Sequence, residues 1–300
     1  MYHDIDFIFE NNTKYCPNLD DPFLQNIRKS RQIICSRIVY KTSEHQTFSV
    51  LLKSDNKRNP RRLLVYNHGH GGFPGENDDF AYQMFNDFLS DGFDILFVSM
   101  PFTGIDKIGY DFQFDSWDGP STASAKAIEN IAYYQHSIFE LMNTGKSHFI
   151  RYFIDSAVVS TLMLRGEYAS IDYIGLSGGA HIGLYTCSIL KNIVDNCVLV
   201  AGVMPINLRT SFESFGDAEQ ISSSFHKANN IFKIINELSA SRTTLHFIYN
   251  DKDPCCFSEK VAKEFKSQLE SKSINVNFNI RHSNNHDYDP TEIRRIISYY

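Results

Sequence analysis

No run of roughly 18 apolar residues, the length a helix needs to cross a bilayer, occurs in the 300-residue chain. Lysine and arginine form no run or stripe. With 29 of them against 35 Asp and Glu, the formal net charge is −6, and the electrostatic footprint of a nucleic-acid binder is missing. The six cysteines include no C-x-x-C pair and no zinc-finger spacing. Two of them, Cys255 and Cys256, are adjacent, a poor arrangement for stapling distant segments. Reduced thiols in a cytoplasmic protein are therefore expected. The opening "MYHDIDFIFENN" carries early acids and lacks the basic stretch and apolar core of a signal peptide. Internal repeats and low-complexity linkers are also absent, so a single domain over residues 1–300 is the default, with no cofactor, nucleic acid or membrane span expected. Association into a homo-oligomer stays open.

What is present is ordinary for a folded enzyme-sized domain, with 42% hydrophobic and 21% charged residues. Phe and Tyr number 24 and 16, and many fall in loop-like stretches such as "YDFQFDSW" and "SFESF", which points to a cleft with aromatic walls. Eight short apolar segments read as strands: "RQIICSRIVY", "TFSVLL", "RLLVYN", "FDILFVSM", "IDYIGL", "NCVLVAGVM", "TTLHFIYN" and "INVNFNI". The first two follow one another directly, an antiparallel start. After them strands alternate with helical patterns, among them "FAYQMFNDFLSDG", "STASAKAIENIAYYQHSIFELMN" and "SEKVAKEFKSQLES". The order predicts an α/β fold with a mostly parallel eight-stranded sheet and helices on both faces. Two long connections break the alternation, about Pro101 to Ser147 and Pro205 to Arg242; residues 205–242 are expected to form a lid or cap.

The chemistry centres on "IDYIGLSGGAHIG". Ser177 lies in Gly175-Leu176-Ser177-Gly178-Gly179, between a strand and a helix. A turn sharp enough to expose a serine at such a junction brings the residues two before and two after it together, and only glycine fits there. The turn aims the Gly178 N–H and the helix N-terminus at a developing oxyanion. Without partners, the same motif is a glycine-rich turn with an incidental serine. After "RLLVY" comes "NHGHGG", where the N–H groups of His70 and Gly71 are candidate second donors and His68 a brace for the loop. A phosphate loop would need a lysine this stretch lacks, and a metal site would need a third ligand beside His68 and His70.

A nucleophilic serine needs a base, and the base an orienting acid. "NDKDP" places Asp253 just past a strand, with Asp251 as its rival; "RHSNNHDYDP" places His286 deep in the last loop, with His282 at the strand edge as the structural histidine. On "HGHGG", "GLSGG", "NDKDP" and "NNHDY", each following a strand in the order serine, acid, histidine, the chain resembles the α/β-hydrolase superfamily from about Arg61 onward, and within it the carboxylesterases, acetyl-esterase-type enzymes and oligopeptidase-like hydrolases. The resemblance implies a serine carboxylic ester hydrolase acting on a small-molecule ester, with Ser177 as nucleophile, His286 as base and Asp253 as orienting acid. Gly178 with His70 or Gly71 would form the oxyanion hole. Asn250 and Asn285 depart from the pattern, standing where glycine often precedes the acid and the histidine. A peptidase or amidase, an acyltransferase, and an inactive hydrolase fold used for binding are the competing readings.

Overall fold

The computed structural model describes residues 6–10, 34–41, 46–56, 60–69, 79–98, 100, 111–116, 119–124, 149–209, 218–221 and 230–298. Eleven strands occur among them: β1 (Asp6–Glu10), β2 (Ile34–Lys41), β3 (Gln46–Lys53), β4 (Arg62–Asn67), β5 (Phe93–Val98), β6 (Asp111–Ser116), β7 (Gly119–Ser124), β8 (Ser170–Leu176), β9 (Asn196–Val200), β10 (Thr244–Asn250) and β11 (Asn277–Arg281). Nine form one sheet in the order β1-β2-β3-β5-β4-β8-β9-β10-β11. Pairing is antiparallel from β1 through β2 and β3 to β5, and parallel from β5 to β11.

Consecutive residues are buried along the central strands, including Leu63, Leu64, Val65 and Tyr66 in β4. Since neighbours on a strand point to opposite faces, both faces of this sheet are covered, which is why these strands read as unbroken apolar runs. The covering helices are α1 (Asp79–Ser90), α2 (Phe149–Leu164), α3 (Gly178–Ile189), the short α4 (Ala218–Ile221), α5 (Ile231–Ser239), α6 (Glu259–Ser271) and α7 (Pro290–Ser298). Helices α1 and α7 pack on each other, while α3 packs on β8 and β9 and is flanked by α2 and α5. Helix α3 is buried from Gly178 to Cys187, so the element that follows Ser177 is anchored in the core. No helix among the described residues is long and apolar enough to cross a membrane.

Several sequence expectations change. The sheet gains a ninth strand, β1, whose pairing with β2 runs from Asp6 opposite Lys41 to Glu10 opposite Arg37. The helix expected from Ser121 onward instead begins as strand β7, paired with β6 through Ser121–Phe114 and Ser124–Asp111. Cross-strand pairing overrides the helical pattern there, and the rest of that stretch lies outside the described residues. Within the expected lid, residues 231–239 form α5, whose Ile231, Ile234, Ile235 and Leu238 are buried against the core. The thiols are not all reduced. Cys187 and Cys197 form a disulfide, with their Cα atoms 6.4 Å apart where α3 crosses β9, and Cys35 is also disulfide-bonded. Only the tertiary fold brings the helix end and the strand together; a separation of ten residues announces nothing in the sequence.

Candidate active site

Strands β4, β8, β9, β10 and β11 run parallel, so their C-terminal ends share one edge of the sheet. The segments carrying His68, Ser177, Asp253 and His286 all leave from that edge.

Ser177 directly follows β8 and caps α3 with φ 57° and ψ −124°, in the region L-residues rarely adopt. Such a backbone costs on the order of 1–3 kcal/mol and persists where the surroundings hold it. They do so here: the Ser177 N–H donates to Val200 O at 2.9 Å, and Ser177 O accepts from Ala180 N at 2.9 Å and His181 N at 3.1 Å. A Cβ on Gly175 would run into the Gly179 carbonyl, and one on Gly179 into the Asn67 backbone, which is the steric reason for the two glycines. Gly202 plays a matching part from the neighbouring strand, since a Cβ there would strike the Ser177 carbonyl. No motif marks Gly202 in the sequence; its need arises only where the end of β9 meets the turn.

The elbow is braced from β4. Gly69, at φ +76°, packs so close that a Cβ would sit 2.8 Å from Gly179 N and 2.9 Å from Gly178 N. His68 accepts or donates through Nδ1 to the Tyr66 hydroxyl at 2.6 Å, and Tyr66 meets the Tyr288 hydroxyl at 3.1 Å. Burial, reinforced by the nearby charge of His286, lowers the His68 pKa to about 4. The imidazole is thus neutral near pH 7, as befits a brace. His70 and Gly71 lie outside the described residues. His181 is fully buried in α3, edge-on to Tyr185 at 5.4 Å, and belongs to the core.

Acid and histidine meet directly: His286 Nδ1 lies 2.8 Å from Asp253 Oδ2. The Asp253 side chain has no solvent exposure, and His286 retains 24%. The other carboxylate oxygen, Oδ1, accepts from Cys255 N–H at 2.7 Å. Phe257 stacks on the His286 ring, centroids 6.0 Å apart and planes 17° apart, and Arg209 lies over Phe257 at 5.5 Å. The rival acid also has a histidine, Asp251 Oδ2 to His282 Nδ1 at 2.6 Å, but His282 is 80% exposed. That contact holds the Asp251 carboxyl below the usual carboxylate range.

Asn250, read from sequence as a departure, is fully buried and donates through Nδ2 to Asn285 O at 2.7 Å and Asp287 O at 2.9 Å. It therefore grips the backbone on either side of His286. Ser177 shares the edge with the Asp253–His286 pair, though no hydrogen bond joins Ser177 to His286 among the described residues. A cavity of about 730 Å³ opens between α1, α7 and the loop that joins β11 to α7; Ser177, Asp253 and His286 do not line it.

Chemically, a buried carboxylate fixed on Nδ1 sets an imidazole to act as a base through Nε2. A serine strained at a helix N-terminus offers a hydroxyl and a nearby N–H donor.

No protein-family model matches the sequence, and no curated protein matches it. Solved structures do resemble the fold. Est1E from Butyrivibrio proteoclasticus superposes with a TM-score of 0.53 at 12% identity, over 87% of this chain and 95% of that one. Acetyl xylan esterase 1 from Thermoanaerobacterium sp. JW/SL YS485 gives 0.56 at 11% identity, over 99% and 87%. An acylaminoacyl peptidase from Pyrococcus horikoshii gives 0.57 at 14% identity, over 91% of this chain but only 41% of the peptidase. At these identities the likeness is one of architecture alone, a mostly parallel α/β sheet that this chain shares with these solved structures.

Proposed function

We propose that the protein is a serine hydrolase that cleaves small carboxylic esters through an acyl-enzyme. The observation that carries this reading is the Asp253–His286 pair, with its carboxylate buried and Oδ2 and Nδ1 2.8 Å apart, on the sheet edge that presents Ser177 at φ 57°. His286 takes the Ser177 proton as the hydroxyl oxygen attacks the ester carbonyl, and Asp253 stabilises the imidazolium that forms. The Gly178 N–H, with that of His70 or Gly71, holds the oxyanion. His286 then protonates the departing alcohol, and water activated by the same imidazole releases the acid.

An ester is the first bond to test, because a solved structure that shares the fold is an acetyl xylan esterase; a peptide or amide bond is the competing substrate, as in the acylaminoacyl peptidase. An acylated carbohydrate is the first substrate class to try. Of the expected lid, 205–242, residues 210–217 and 222–229 lie outside the described residues, and 231–239 is docked in the core. The disulfide-bonded Cys35, Cys187 and Cys197 fit an oxidising compartment better than the cytoplasm expected from composition.

A fluorophosphonate probe should label the protein once, and Ser177→Ala should abolish both labelling and hydrolysis of p-nitrophenyl esters. Labelling that survives the substitution would remove Ser177 from the mechanism. A series of esters of rising acyl length, run beside aminoacyl anilides and acetylated sugars, separates esterase from peptidase.

A further inference from the structure

The segment Asp253-Pro254-Cys255-Cys256-Phe257 holds His286 at both ends: Asp253 bonds its Nδ1, and Phe257 stacks on its ring. Between these two supports lie two adjacent cysteines that are not disulfide-bonded, with Cys255 exposed and Cys256 half-buried. Their sulfurs are 2.7 Å apart, and the Cys255 N–H is the donor that fixes the second Asp253 oxygen at 2.7 Å. We propose that Cys255 and Cys256 are an oxidisable dithiol, a modification site for small-molecule disulfides, whose closure displaces Asp253 and Phe257 from His286.

The chemistry balances as thiol–disulfide exchange. The Cys255 thiolate attacks one sulfur of a disulfide RSSR, the S–S bond breaks, and one RS⁻ leaves, taking up a proton. The Cys256 thiolate then attacks the Cys255 sulfur of the mixed disulfide and expels the second RS⁻. The protein loses two electrons and two protons, and RSSR becomes two RSH. The product is an eight-membered ring through the Cys255–Cys256 peptide.

Adjacent Cα atoms across a trans peptide are about 3.8 Å apart, shorter than the roughly 4.4–6.8 Å common in disulfides, so this ring is strained. Strained, exposed disulfides are the readily reduced ones, which suits reversible control and not stapling. The strain of the closed ring falls on the backbone between Cys255, whose N–H fixes Asp253, and Phe257, which stacks on His286. The buried Cys187–Cys197 bond has no such link to the site.

The effect on turnover rests on the hydrolase reading above, whereas dithiol closure and its effect on His286 do not, so three readouts are combined. Purified protein is treated with a small oxidised disulfide. Peptide mapping then follows mass at 255–256, NMR follows the low-field His286 Nδ1–H resonance, and turnover is measured on a p-nitrophenyl ester. We expect a loss of about 2 Da confined to that peptide, displacement of the His286 resonance, and a fall in turnover on the order of ten- to a hundredfold, all reversed by dithiothreitol. Cys256→Ser can carry only the mixed disulfide, so it should keep its His286 resonance and its activity after the same treatment. No 2 Da loss, an unmoved resonance after closure, or equal inactivation of Cys256→Ser would each overturn the proposal. If the reduced protein neither turns over esters nor labels with fluorophosphonate, the hydrolase reading fails. Closure with a shifted His286 resonance would still support the dithiol.

Discussion

Asp251 and Asp253 each hold a histidine through Nδ1, at 2.6 and 2.8 Å, so hydrogen-bond length does not tell them apart. Surroundings do. Solvent screens the Asp251–His282 contact, whose histidine is 80% exposed. Asp253 has lost all exposure and also accepts the Cys255 N–H, so its charge acts on His286 through a poorly polarisable medium. Asp253→Asn would present an amide N–H or a weaker acceptor to Nδ1 and disturb the tautomer that a base at Nε2 requires. We expect it to lower kcat/KM by on the order of 10²–10⁴ with the fold retained, and Asp251→Asn to change it by less than about threefold. Steady-state kinetics on one p-nitrophenyl ester, with circular dichroism for folding, checks the pair. The opposite ranking would move the orienting role to Asp251.

At the scale of elements, what matters is how the loop after β11 is tied to the end of β10. Asn250 makes that tie with two hydrogen bonds to the carbonyls flanking His286. Each neutral bond is worth about 0.5–1.5 kcal/mol net, and removing the donor strands two carbonyls that Asn250 had satisfied. Asn250→Ala is therefore expected to lower the melting temperature by several degrees. It should also cut turnover by about tenfold or more while leaving Ser177 in place to be labelled slowly. Unchanged labelling kinetics would show that the loop holds itself. The main strands and the serine elbow are legible in the sequence because each has a local cause: unbroken apolar runs, and glycines two before and two after Ser177. Helix α5 was legible too, since Ile231, Ile234, Ile235 and Leu238 follow a helical spacing, but the expected lid absorbed it. Strand β1, Gly202 and the Asn250 tie were not, because each answers to a partner distant in sequence; the β6–β7 hairpin is local, but the helical spacing from Ser121 hid it. The same holds for Cys187 and Cys197, which meet only once α3 lies across β9.

Over the whole molecule, the two ends of the parallel strands do different work. Chemistry-bearing groups leave the C-terminal ends, while the N-terminal ends carry buried charge networks: Asp94 with Arg61 and Tyr168, and Asp172 with Arg62 and Asn196. Burial sets how stability responds to acid. His246 in β10 has its pKa lowered to about 4 by burial, and His68 is lowered to the same value. Both lie below the ordinary 6.5, so the unfolded chain takes up protons first as pH falls, and their contribution to stability is lost between about 6.5 and 4. Asp172 works in the opposite sense. Burial raises it to about 6, so the folded state holds its proton more tightly, and the contribution grows as pH falls from about 6 toward 4. One proton can account for at most roughly 1.4 kcal/mol per pH unit. His246→Gln, which lies away from the candidate site, should therefore lose less stability than the native chain between pH 6.5 and 4, and Asp172→Asn should lose more. Urea unfolding at half-unit pH steps reads both slopes; curves that run parallel to the native one would show that neither burial is felt as a proton equilibrium.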